Sequence, residues 1–480
     1  MRQIKEITTV LESQNYSLNV SICDVMKEFK FKTLIHHAGL SKACGFSITS
    51  ILTLLIMLPL MALENVHQFY KSAYAKDEVM QKDTIYRLKN SEHYSWRSLL
   101  YKVAKAYRNL VEPTACDNNG EEKITALIID DTMDQRVGYK MENISHVFDH
   151  VLRKTFYGFK ILTLIFFDGV SSHPLDFTIH TEKKLAIKKR RKQYKKDVDP
   201  KSHGGKRRKE AATTKSMQAM IMIKRAIKHG FTAKYVLCDS WFTSEALIQT
   251  VRSVAKGAMH LIAGVPNGTR KYEYAGGFFN AKEIIALLKK EGKEHRCRKW
   301  NTRYMEAIVQ YKDAGAVKLF MSRYPGQKKW RVFITTDTSL SYIKMVEVYT
   351  IRWTIEVLFR ECKQHLLLGK CQSRDFDAQI ASVTITFILY TFLAYMKRKQ
   401  DYTTLGEALL FIQHDVCEKN LAQRLFELFE TLLELAINAI AENGSMDIAQ
   451  FKTSAEYRLI KETFASSFLF EQIGSVDNAV

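Results

Sequence analysis

The spacing of apolar residues divides this chain. Through the first 115 or so residues they recur with a helical period, and the turn punctuation that separates strands is missing. From about residue 120, short β-branched and apolar runs ending in acids or turn residues take over, at 124–130, 158–169 and 173–180. A helical stretch follows at 217–229, then another strand pattern at 234–239. Residues 256–340 read as strands and turns (304–311, 317–321, 330–337) around one helix near 281–290, and from about 401 the pattern is helical again. The expected organisation is a helical part at 1–118, one α/β core in two parts at 119–255 and 341–400, a β-rich insertion at 256–340 and a helical end at 401–480. Periodicity alone says no more than mixed α/β.

The densest chemistry lies on the helix expected at 349–363. Tyr349, Arg352, Glu356 and Lys363 stand at offsets of three, seven and fourteen, and at about 100° per residue they fall within roughly 60° on one face. Ile351, Ile355, Leu358 and Cys362 project from the far side, so a buried helix presents one carboxylate among cations toward something anionic. Trp353 and Arg360 join the polar stripe, where a merely solvated helix has no use for large aromatics. Two strand patterns end in acid, at Asp130 and at Asp239. Either alone reads as a turn or helix cap; their order along the chain is the more informative fact. Asp131 follows Asp130 directly, and only one of the two can face a site, because successive strand side chains point opposite ways. Asp134, Asp149, His146 and His150 match no zinc spacing and read as surface groups.

The spacing Y-x2-R-x3-E-x6-K resembles the signature of DDE-type transposases of bacterial insertion sequences, the insertion-sequence-four family, and the text from Tyr349 to Glu361 is similar to that family too. The resemblance implies a ribonuclease-H-like catalytic core with an inserted β-rich subdomain, plus helical N- and C-terminal parts. In that fold adjacent central strands would bring Asp130 and Asp239 together. It implies further that Asp130, Asp239 and Glu356 are the catalytic acids and metal ligands. They would hold two Mg²⁺ ions, with Mn²⁺ as a substitute, about 4 Å apart to stabilise both the attacking and the leaving oxygens of an in-line displacement. Asp130 is preferred because the family shows Asp, a variable residue and then Thr or Ser, here Thr132; Asp131 stands as the alternative. Tyr349, Arg352, Arg360 and Lys363 would grip DNA phosphates. In relatives the cut passes through a DNA hairpin, and an aromatic side chain holds the flipped base. Trp353, Trp300 and Trp330 are the candidates for that role. Binding of the transposon end by the N-terminal region rests on the resemblance, since no helix-turn-helix signature is evident.

Composition points to the same kind of partner. With 72 Lys plus Arg against 51 Asp plus Glu, the net charge is +21, which favours salt-sensitive attraction to polyphosphate. The stretch from Lys183 to Lys209 alone holds fourteen cations, among them Lys189, Arg190, Arg191, Lys206, Arg207 and Arg208. It reads either as a DNA-contacting tract or as a solvated loop. Residues 46–63 and 380–396 are uncharged for eighteen and seventeen residues, near the length of a membrane span. Ser, Thr and Tyr content, with Pro59, favours buried helices. Eight cysteines without a C-x2-C pair suit a reducing compartment. A cytoplasmic, nucleoid-associated protein is expected, since the N-terminus lacks a signal peptide's apolar centre. Leu421, Leu425, Leu428, Leu432, Leu435 and Ala439 form a short heptad stripe, a packing seam or a contact between the two subunits of a homodimer.

The expected function is cleavage of double-stranded DNA at transposon terminal inverted repeats and strand transfer to target DNA. The alternatives are a ribonuclease-H-like nuclease without strand transfer and a domesticated DNA-binding protein without catalysis.

Overall fold

The helical period of the N-terminal region becomes six helices among the described residues: α1 (Ser21–Glu28), α2 (Phe31–His37), α3 (Ile48–Met57), α4 (Val66–Lys71), α5 (Lys82–Lys89) and α6 (Trp96–Val111). α6 buries Trp96, Leu99, Leu100, Val103, Ala104, Tyr107 and Val111, the stripe of an amphipathic helix. The structure, a computed structural model, describes residues 21–75, 80–111, 123–149, 152–182, 185–266, 268, 270–400 and 402–417, with isolated positions from 429 to 458. Residues 22–410 form one compact unit, and 1–21 with 411–480 a second. His150 and the heptad positions Leu421, Leu425, Leu428, Leu432 and Ala439 lie outside the described residues.

β1 (Ala126–Arg136) begins with four fully buried residues, Ala126 to Ile129, as suits a strand covered on both faces. β2 (Ser145–Asp149), β3 (Lys154–Phe167) and β4 (Ser172–His180) follow, and β3 runs antiparallel to β1, β2 and β4. β5 (Tyr235–Cys238) lies parallel to β1, and β6 (His260–Val265) parallel to β5. Parallel neighbours need crossover connections. Between β4 and β5 the chain makes α7 (Ile187–Arg191), α8 (His203–Ala211) and α9 (Lys215–Lys228), and between β5 and β6 it makes α10 (Glu245–Ser253). Thr214 and Ser244 start α9 and α10 by accepting from the amides of Met217 (3.3 Å) and Leu247 (3.2 Å). The local strand order is therefore β4-β3-β1-β5-β6.

The segment set apart in sequence as an insertion begins with β6 and goes on to β7 (Lys271–Tyr274), β8 (Gly277–Asn280), α11 (Ala281–Lys290), β9 (His295–Cys297), β10 (Thr302–Gln310), β11 (Ala316–Arg323) and β12 (Arg331–Thr335). β6 pairs with β5 of the core and β12 pairs antiparallel with β6, so among the described residues a single twelve-stranded sheet runs through both parts. After β12 the chain makes α12 (Tyr342–Thr350), α13 (Thr354–His365) and α14 (Phe376–Lys399). Of the two apolar runs, the first becomes α3 with a 3₁₀ turn at Pro59–Met61, and the second lies in α14. Among the described residues α14 alone is long and apolar enough to cross a membrane, but 94% of its apolar stretch is buried inside the protein. It packs on α6, and its Phe392 ring lies 4.8 Å from Phe29 and 5.4 Å from Phe31. The N-terminal helices thus share the core's compact unit instead of standing apart.

Candidate active site

Ile129 and Cys238 are the last partners of the parallel β1–β5 pair. Asp130, inside β1, and Asp239, just past the end of β5, follow them directly, so these acids stand side by side on neighbouring segments, on the order of 5 Å apart across the sheet. Asp130 faces the signature helix. Its Oδ2 accepts from Arg352 Nη1 at 3.1 Å, and Arg352 Nη2 donates to Glu356 Oε1 at 2.7 Å. One guanidinium thereby ties the first acid to the third. Asp239 Oδ1 accepts from the Trp241 amide at 2.7 Å, which orients the second. Burial pushes the Asp130 carboxyl up to about 7, and the charges of Asp239 and Asp131 add to the rise against the opposing Asp131 amide and Arg352. Asp131 points the other way, toward Lys215 (3.3 Å) and Lys160 (3.6 Å).

The signature segment departs from one uninterrupted helix. α12 ends at Thr350, a 3₁₀ turn covers Ile351–Trp353, and α13 begins at Thr354. Thr350 Oγ1 bonds back to the Val346 carbonyl at 2.5 Å, a local competition that bends helices. The expected face survives the change. Tyr349 Oη donates to the Cys238 carbonyl at 3.4 Å, beside Asp239, and its ring packs edge-on against Phe333 at 4.9 Å. Lys363 Nζ donates to the Met133 carbonyl of β1 at 2.8 Å. Gly264 on β6 permits this closeness, because an added Cβ would meet the Ser240 amide at 3.3 Å and Tyr349 Oη at 3.5 Å. Arg360 and Trp353 are exposed, the latter by 57%. Trp330 is buried, with the Arg323 guanidinium 4.7 Å over its ring, and the indole nitrogen of Trp300 is buried too.

The basic tract divides into two populations. Arg190, Arg191 and Lys206 are exposed and Lys189 half-buried against the Tyr157 hydroxyl. Arg207 and Arg208 correct the sequence reading. Arg207 is 6% exposed and donates to the Phe177 carbonyl at 2.5 Å and to Glu210 at 3.5 Å. Arg208 pairs with Glu142 at 2.7 Å and Asp377 at 2.9 Å. Both guanidiniums hold α8 to the core, which removes them from a DNA-facing surface. Asp134 is a second correction: it is buried against Arg136 at 2.6 Å. His146 lies by Tyr157, ring centroids 5.0 Å apart.

The sequence reading missed Trp241. Its indole is 61% exposed two residues beyond Asp239, with Lys215 Nζ 4.4 Å over the ring. The signal available was an aromatic directly after a strand-end acid and a serine.

Two family models match the chain. One, described as a transposase DDE domain, covers residues 207–392; the other, described as a DDE superfamily endonuclease, covers residues 72–283. No curated protein matches it. Between them the two ranges include Asp130, Asp239 and Glu356. Such domains imply a ribonuclease-H-like α/β fold, in keeping with the mixed sheet and its helices, and they imply DNA as a partner. They also generally use divalent metal. Among the described residues no three His, Cys, Asp or Glu side chains already converge closely enough to hold an ion. The donor set still fits one chemically, since three carboxylates offer hard oxygen ligands and a cation would offset the burial and neighbouring negative charge that raise Asp130. The two matches together indicate a DNA-cleaving, transposition-type enzyme.

Proposed function

We propose that the chain is the transposase of an insertion sequence, cutting transposon ends and joining them to target DNA, with Asp130, Asp239 and Glu356 as its catalytic acids. The observation that carries this reading is the link through Arg352, which joins Asp130 on the central strand to Glu356 on α13 beside the strand that leads to Asp239. Bound at these three carboxylates, two Mg²⁺ or Mn²⁺ ions would supply charge stabilisation to the attacking and leaving oxygens. Arg352 keeps the first and third acids in register, and its planar fork also suits bidentate contact with a phosphate. Tyr349 and Lys363 brace α12 and α13 against β5 and β1 at the two ends of the site. Trp353, three residues before Glu356, and Trp241, two beyond Asp239, are exposed and would offer stacking surfaces for a base. Work at two transposon ends calls for two subunits, hence a homodimer in the synaptic complex. The endonuclease described by the second family match is the rival reading. A product assay with paired ends and a target plasmid separates the two, because a simple nuclease yields cut ends and no joined product.

The two neighbouring acids give the first test. Asp131→Ala is expected to keep metal-dependent cutting within about tenfold, because that carboxylate pairs with Lys215 and Lys160. A dead Asp131→Ala beside an active Asp130→Ala would move the site by one residue.

The basic tract gives the second. Gln at Lys188, Arg190, Arg191, Lys192, Lys195 and Lys206, all exposed, is expected to flatten the plot of log affinity against log salt. Each phosphate that is no longer neutralised lowers the slope by about 0.9, so the total is about 5.4. An unchanged slope would return the tract to a solvated loop.

A further inference from the structure

Three arginines form a row across the sheet far from the acids. Arg296 of β9 is directly opposite Arg303 of β10, and Arg303 is directly opposite Arg323 of β11. Directly opposed residues of antiparallel strands share a face with Cβ atoms about 5 Å apart, and like charges placed so destabilise the sheet. Compensation inside the protein is thin. A single atom, Glu294 Oε1, accepts from Arg303 Nη1 at 3.1 Å and from Arg323 Nη2 at 3.4 Å. Among the described residues Arg296 makes no ion pair.

The row lines a cleft of about 550 Å³ walled by the turn from Tyr324 to Gln327. Lys328 and Lys329 follow on that turn, both exposed. Arg323 lies 4.7 Å over the Trp330 ring, which fixes the plane of its guanidinium. The floor is rigid as well. Tyr342 Oη bonds Thr302 Oγ1 at 2.9 Å and Ser322 Oγ at 2.6 Å, and its ring stacks on Tyr304 at 4.0 Å. Tyr342 opens α12, which leads to Arg352, so the cleft and the signature segment share one frame.

A sheet gains nothing by lining up three guanidiniums against one carboxylate oxygen, whereas an anion with several spaced oxygens would balance them. We propose that this cleft is a second DNA-backbone site, taking phosphates of duplex DNA away from the bond being cut. The proposal rests on the DNA-cleaving reading above. β10 is four strand steps from β5, on the order of 19 Å across the sheet. That distance corresponds to roughly six base pairs of duplex.

The test is a salt titration of binding to a random-sequence duplex by the full chain, with metal-dependent plasmid cutting measured alongside. The triple variant Arg296→Gln, Arg303→Gln, Arg323→Gln is expected to flatten the slope of log affinity against log salt by about 2.7, and the triple Lys variant to retain it. If the Gln triple does not fold, Arg296→Gln alone carries the test with a decrease of about 0.9. An unchanged slope in variants of a protein that binds and cuts DNA overturns this inference and leaves the cleavage reading intact. A wild type that neither binds nor cuts duplex overturns the cleavage reading itself, and this site with it. Inorganic phosphate probes the other source of the same chemistry. If phosphate raises the melting temperature of wild type but not of the Gln triple, and the DNA slopes coincide, the cleft is a free-phosphate site and the inference falls.

Discussion

Alanine at Asp130, Asp239 or Glu356 is expected to lower strand cleavage by a thousandfold or more while leaving DNA affinity within a few-fold. Charge stabilisation by bound divalent ions contributes on the order of several kcal/mol to the transition state, and about 4 kcal/mol corresponds to a thousandfold in rate. On the proposed assignment each acid would contribute oxygen donors to the bound ions, so losing any one would disrupt the set. DNA contacts are spread over other cations, and removing a carboxylate takes negative charge away from the approaching phosphates. Arg352 sharpens the expectation. Asp130→Ala and Glu356→Ala each free one side of its fork, so binding is expected to hold or tighten slightly in these two. Cleavage of a labelled duplex with Mg²⁺ and, separately, Mn²⁺ checks this, beside an affinity measurement. Retained cutting in any one variant removes that residue from the catalytic set.

Asp176→Ala is expected to cost about 3 to 5 kcal/mol of stability, the typical penalty for breaking a buried ion pair by removing one partner. Asp176 is fully buried in β4 and accepts from Arg97 at 2.8 Å and from Arg225. Glu210 also pairs with Arg97, at 2.7 Å, and with Arg225, at 3.4 Å. α6, α8, α9 and β4 are joined in this one cluster, and the variant would leave Arg97 and Arg225 sharing Glu210. Burial by itself would raise the Asp176 carboxyl, but Arg97, Arg225 and Arg207 outweigh it and hold the group below the ordinary carboxylate range. A lowered carboxyl adds stability that is present above the unfolded value and lost as pH falls through the folded one. The gap between wild type and Asp176→Asn is therefore expected to be widest near neutral pH and to narrow in acid. Denaturant midpoints at neutral and acid pH measure it. A gap that is small at neutrality, or that widens in acid, would refute the cluster's role.

The parts of the fold legible in sequence were those with local signals. Apolar runs ending at Asp130 and Asp239 marked strands, and the offsets among Tyr349, Arg352, Glu356 and Lys363 marked one helical face. The i,i+4 spacing of Arg352 and Glu356 made their contact legible, although no local pattern could show the same guanidinium reaching Asp130, 222 residues away. What stayed hidden depends on partners distant in sequence. Arg208 looks like any other cation of its run until Asp377, 169 residues onward, folds against it. Arg207 meets the Phe177 carbonyl, 30 residues back. The merging of the β-rich segment with the central sheet rests on the parallel β5–β6 pairing, and strand pairing leaves no periodic trace. Phe29 and Phe31 likewise gave no sign that they would dock on Phe392 in α14.

The central claim is metal-dependent cutting and joining at specific DNA ends by the Asp130, Asp239 and Glu356 site. It is tested most directly by incubating the full chain with DNA carrying the inverted repeats that flank its coding region, a target plasmid and Mg²⁺. The account predicts cuts at the repeat ends and joined target products, both abolished by chelation and restored by added Mg²⁺ or Mn²⁺. Cutting that persists in excess chelator, or no cutting with either metal on the cognate ends, would contradict it.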